Sequence, residues 1–135
     1  MIPELLGWLN LILLSFNSAL FALRIIVRLR ISKTTRRRVG KALFFFRKMH
    51  PWTGGILLIT SFLHGYMALN YDFAIHTGTL VFFGILAQFI VFVLGKTVER
   101  FKYKWIRVHG LLMFLTWIFV IIHLISPWSL YIPTT

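Results

Sequence analysis

HPWTGGILLITSFLH runs from His50 to His64, and HGLLMFLTWIFVIIH runs from His109 to His123. In each stretch two histidines fourteen residues apart bracket a nearly unbroken apolar run. The chain has 5 histidines, so all but one sit at the ends of these two equal segments. An α-helix turns about 100° per residue, so fourteen residues bring the second histidine back to within about 40° of the first. His50 and His64 therefore share a helix face, and so do His109 and His123. Partners on one helix are separated by about 21 Å of rise, most of the roughly 30 Å of a bilayer's hydrocarbon core.

The rest of the chain fits a bilayer. Of 135 residues, 59% are hydrophobic and 13% charged, and the mean hydropathy is +0.82. A soluble domain of this length needs more polar surface, so the composition reads as a polytopic membrane protein. Four spans are expected, at roughly residues 5–27, 49–69, 75–95 and 105–126. Each is about 20 residues long, enough to cross as a helix, the form that satisfies its own backbone in lipid. The expected fold class is thus all-α, a single-domain membrane four-helix bundle over residues 1–135. The chain has no cysteine, which excludes disulfides, iron–sulfur ligation, thiolate metal sites and covalent haem attachment through cysteine.

Charge sets the expected orientation. All 15 Lys and Arg lie between Arg24 and Lys48 or between Lys96 and Arg107. Arg24, Arg28 and Arg30 follow the first span while Glu4 precedes it, the reverse of a secretory signal, so a retained first helix is expected. Glu99 lies among the cations, and the other two acids, Glu4 and Asp72, fall on the opposite side. The positive-inside rule places loops 28–48 and 96–104 in the cytoplasm, both termini outside, and the protein in the cell membrane. The same cations suit anionic lipid headgroups and an acidic redox partner such as a flavoprotein. No nucleic-acid role is expected.

Spans two and four enter from the same side, so they run parallel. His50 is then level with His109, and His64 with His123. Each level offers two imidazole nitrogens, too few for a bare zinc site, and no acid or thiol lies near to complete one. A porphyrin supplies four in-plane nitrogens and leaves two axial positions for histidine. Two levels imply two haem b groups, each iron held by a histidine pair. Small or polar residues line the same faces: Thr53, Gly54, Leu57, Thr60, Ser61 and Gly65 on span two, and Gly110, Met113, Thr116, Phe119 and Val120 on span four. Of these, Gly54, Ser61, Gly110, Met113 and Thr116 are the candidate cofactor contacts. Arg47 and Arg107, with Lys48 and Lys104, are placed to pair with the propionates of the inner haem.

The motif His50–His64, with the W-x3-H-x13-H pattern of WIRVHGLLMFLTWIFVIIH (Trp105–His123), resembles the haem-binding helices of diheme b-type cytochromes. Two relatives share it. One is the membrane domain of the ferric reductase and NADPH oxidase superfamily, including the small haem subunits that serve bacterial methionine sulfoxide reductase. The other is the four-helix half of respiratory cytochrome b, whose second and fourth helices carry two histidines each. The likeness covers spans two to four. This chain departs from the first in having room for four helices rather than six, and it has no GxGxxG. The resemblance implies a haem pair and transmembrane electron transfer, without specifying donor or acceptor.

The expected function is electron transfer from a cytoplasmic donor to an outer acceptor, as a subunit of a redox complex. The alternative is a self-contained quinol-linked oxidoreductase with ferric iron, oxygen or superoxide as outer partner. Asn10, Asn17 and Arg24 fall seven apart on span one, and Gln88 shares a face with Gly84 on span three. These are expected to hydrogen-bond other helices, with a quinone site near Asn17 or Gln88 as the alternative. His76 reads as a surface residue of the outer turn. Four helices leave porphyrin edges facing lipid, which a second copy or a partner subunit would cover.

Overall fold

The computed structural model describes residues 1–29, 32–70, 74–130 and 132–133. Arg30 and Asp72, which entered the charge reading, lie outside the described residues. Four long helices dominate: α1 (Ile2–Arg28), α2 (Lys33–Ala68), α3 (Thr77–Thr97) and α4 (Trp105–Ile125). A short antiparallel ribbon joins β1 (Ala74–Ile75) to β2 (Ile132–Pro133), and a 3-10 turn spans Glu99–Phe101.

Three helices, α1, α3 and α4, are long and apolar enough to cross a membrane. Their outward side chains are apolar: Ile12 is 65% exposed, Phe83 56% and Ile118 53%. Water would penalise such a surface, whereas lipid tails accept it. The chain is therefore built to contact membrane lipid.

Span two begins earlier than the sequence pattern suggested. Residues expected in a loop as far as 48 are helical from Lys33, and α2 is 36 residues long. Ser32 caps the start, its Oγ accepting the Thr35 N–H at 3.2 Å, and no helix breaker follows until Pro51. At 1.5 Å per residue α2 measures about 54 Å, well beyond a hydrocarbon core of roughly 30 Å. The excess carries Lys33, Arg36, Arg37, Arg38 and Lys41, all exposed. Pro51 lies inside the helix.

Polar pairs register the helices. On α1, Asn10 accepts from Thr60 Oγ1 at 2.6 Å and Asn17 from Thr53 Oγ1 at 2.8 Å. The two pairs are seven apart on both helices, so α1 and α2 run antiparallel with their polar lines in contact. Trp117 Nε1 of α4 donates to Ser18 Oγ of α1 at 2.8 Å. The polar line of span one thus faces helices, as expected.

The core is one thin layer. Leu14, Leu57, Ile85 and Val120, one from each helix, cluster together. Leu57 lies seven residues beyond His50, and Thr116 seven beyond His109. Thr116 is 0% exposed, donates to the Leu112 carbonyl at 2.8 Å and accepts from Gln88 Nε2 at 2.9 Å. Gly84 on α3 makes room for it, since a Cβ there would stand 2.6 Å from Thr116 Oγ1. The middle of the bundle is therefore closed between the two histidine levels.

Gly84→Ala must push α3 from α4 and should cost about 1–3 kcal/mol, the range for overpacking. Gly55→Ala, where a Cβ meets nothing within 4 Å, should be neutral or slightly stabilising. Thermal unfolding of both variants in detergent checks the difference. Equal melting temperatures would show that the α3–α4 contact at Gly84 is loose.

Candidate functional site

The cations sit at the end of the bundle where α1 and α3 finish and α2 and α4 begin. This basic end holds one histidine pair, and the far end holds the other. The rings of His50 and His109 have centroids 5.9 Å apart with planes at 74°. Those of His64 and His123 are 6.5 Å apart at 83°. The two levels expected from the fourteen-residue spacing are therefore both formed, each from one residue of α2 and one of α4.

The separations have chemical meaning. A metal–imidazole nitrogen bond of about 2 Å on each side sets ring centres about 6 Å apart when one metal lies between them. Both pairs fall near that value. Among the described residues no group of three or more His, Cys, Asp or Glu could hold a metal. Each pair thus offers two nitrogens and no more, the donor set of an axial pair rather than of a self-sufficient metal site.

Hydrogen bonds decide which nitrogen is offered. His64 Nδ1 lies 2.8 Å from the Pro3 carbonyl, and His109 Nδ1 lies 3.1 Å from the Gln88 carbonyl. A carbonyl only accepts, so in both rings Nδ1 carries the proton. His123 Nδ1 lies 2.9 Å from Thr77 Oγ1, whose own proton goes to the Pro127 carbonyl at 2.6 Å. Thr77 must then accept, and His123 is also protonated on Nδ1. In all three rings the lone pair is left on Nε2, the arrangement that second-shell partners impose on metal-ligating histidines. His50 differs: its Nδ1 is buried without a partner among the described residues.

A cavity of ≈ 110 Å³ lies at the basic end between His50 and His109. Its walls include Gly54, Leu57, Met113, Phe89, Asn17, Gln88 and Arg24. Gly54 and Met113 thus lie where the sequence reading put them. A Cβ on Gly54 or Gly110 would meet nothing within 4 Å, so both helices leave clearance there. The Arg24 guanidinium lines this cavity and its charge acts on both His50 and His109. Arg47 and Arg107 are exposed and are not among the lining residues. Ser61 and Thr116 are closed into packing, Ser61 donating to the Leu58 carbonyl at 2.9 Å.

At the far end the surface role expected of His76 does not hold. His76 is 6% exposed. It caps α3, with Nδ1 accepting the Thr79 N–H at 3.0 Å, and its ring lies 6.1 Å from that of His123. The β1–β2 ribbon precedes it, and Trp128 packs against it at 5.9 Å. These contacts fold the chain around His76 and cover it. Two glycines also admit the far-end rings: a Cβ on Gly7 would stand 3.1 Å from His64 Cε1, and one on Gly78 would stand 3.1 Å from His123 Cε1.

No protein-family model, curated protein or solved structure matches this chain.

Thr77→Val removes the acceptor that holds the His123 Nδ1 proton, leaving a buried donor unpaired at a cost of about 1–3 kcal/mol. 15N NMR of the imidazoles in detergent should show His123 moving toward the Nε2–H tautomer while His64 and His109 stay Nδ1–H. Thr77→Ser should keep the wild-type pattern. An unchanged His123 signal in the valine variant would remove Thr77 from the site.

Proposed function

We propose that the chain is a four-span diheme membrane cytochrome carrying electrons between a cytoplasmic donor and an outer acceptor. His50 and His109 hold one haem b, and His64 and His123 hold the second. The observation that carries this reading is the facing of two imidazole pairs near 6 Å, with ring separations of 5.9 Å and 6.5 Å, in a chain whose helices are apolar outside. The donor set fits the group: two imidazoles per level, Nε2 lone pairs free on His64, His109 and His123, and glycine clearance at the basic end. When bound, each haem would supply a one-electron iron couple.

The protein's own residues supply the rest. The carbonyls of Pro3 and Gln88 and the hydroxyl of Thr77 hold three of the rings in orientation and raise their strength as donors. Leu14, Leu57, Ile85, Val120 and Thr116 close the space between the levels to water. Arg24 offers a guanidinium to a carboxylate at the inner level, where a fork-shaped cation pairs best. A fourth crossing by α2 puts all 15 Lys and Arg on one side, which the positive-inside rule makes cytoplasmic, with both termini outside. That face attracts an acidic donor, such as a flavoprotein. The chain therefore serves as a subunit of a redox complex in the cell membrane.

Protein purified in detergent should show a b-type reduced spectrum and about two haems per chain by pyridine haemochrome, the number two bis-histidine pairs imply. His50→Ala or His109→Ala should remove one haem, and His64→Ala or His123→Ala the other, with helix content unchanged by circular dichroism. A well-folded protein that takes up no haem in cells supplied with it would end the reading.

A further inference from the structure

The far end of the bundle has a chemical shortage. Haem carries two carboxylates that need hydrogen-bond donors when removed from bulk water. At the basic end Arg24 lines the cavity and more cations stand nearby. At the far end there is no Lys or Arg, since all 15 lie between Arg24 and Lys48 or between Lys96 and Arg107. A carboxylate held there must be met by neutral donors.

His76 is such a donor. Its Nδ1 is engaged as an acceptor of the Thr79 N–H at 3.0 Å, so the neutral ring carries its proton on Nε2. Its hydrogen bonds among the described residues run through the main-chain N–H and Nδ1, and none uses Nε2. The residue is only 6% exposed. The ring also borders the space of the outer pair. A Cβ on Gly78 would stand 2.7 Å from His76 Cε1 and 3.1 Å from His123 Cε1, so the Cε1 edges of both rings converge there. The two ring centroids lie 6.1 Å apart, so the His76 N–H stands beside the outer pair. His76 begins α3, a helix of 21 residues, whose positive end adds to the attraction for an anion.

We propose that His76 is a third histidine of the outer site, donating Nε2–H to a carboxylate of the haem held by His64 and His123. This rests on the diheme reading above. It assigns His76 a ligand-binding role beyond its cap on α3, and it makes the two haem sites unlike: a cation serves the carboxylates of one, and neutral donors those of the other.

The test is a redox titration of the purified holoprotein, followed by its haem spectrum. His76→Asn keeps a good helix cap but is too short to present the distant N–H. Two haems should remain, and one of the two redox waves should move to lower potential, because an unpaired carboxylate favours ferric iron. The oxidised-to-reduced ratio at the wild-type midpoint should rise roughly two- to tenfold, a shift of at most about 59 mV for one electron. The wave that moves should be the one that Thr77→Val also moves. His76→Phe should shift it too, with an added loss of thermal stability from the missing cap. Both waves unmoved in His76→Asn, with changes confined to the stability of His76→Phe, would show a cap and nothing more. Movement of the other wave would likewise overturn the assignment. A holoprotein preparation without haem overturns the diheme reading, and this proposal falls with it.

Discussion

An imidazole inside a bilayer finds no water to bond with, so the protein has to supply a partner for every ring nitrogen. Much of this bundle's geometry follows from that demand. The Pro3 carbonyl serves His64 only because Gly7 lets α1 pass the ring at van der Waals distance. The Gln88 carbonyl serves His109 while its side chain reaches Thr116, so one residue of α3 steadies both the His109 ring and the packed middle of α4. Thr77 serves His123 and passes its own proton to the Pro127 carbonyl, which ties the segment after α4 to the ligand above it. Each bond fixes a ring and also fixes the height of one helix against another.

The two ends answer the demand differently. At the basic end the pair borders a cavity with a guanidinium in its wall, and His50 keeps an unpartnered Nδ1. At the far end His64 and His123 are both hydrogen-bonded through Nδ1, and His76, against which Trp128 packs, lies beside His123. The packed layer of Leu14, Leu57, Ile85 and Val120 keeps the two environments apart.

Much of this was legible in the residues, for a physical reason. The fourteen-residue spacing is a helix property, and it alone pairs His50 with His109 and His64 with His123 on parallel helices. Hydropathy marks three helices long and apolar enough to cross a membrane, to within a few residues of their ends. The pattern starts span two too late because a run such as RRRVGK looks like a loop, while Ser32 caps a helix that runs on through Gly40. His76 was misjudged because one histidine in a polar turn carries no periodic signal; its burial depends on a two-residue ribbon pairing positions far apart in the chain. The partners of His64 and His109 are main-chain carbonyls, which no side-chain pattern can announce. Arg24 reaches the cavity beside the inner pair from α1, whereas sequence proximity to the histidines favours Arg47 and Arg107.

One feature of α2 joins these points. It is the longest helix, yet it falls outside the set that length and apolarity mark as membrane-crossing. The residues that dilute its apolarity are His50, Thr53, Gly54, Gly55, Thr60, Ser61 and His64. Thr53 and Thr60 bond to the asparagines of α1, Gly54 borders the cavity, and the histidines face α4. Polar and small residues at bilayer depth are costly unless they face the bundle interior, where they are retained for contact and function. The helix that reads least like a span is therefore the one whose interior face carries the most chemistry. Its low hydropathy comes from the face that supplies one histidine to each facing pair.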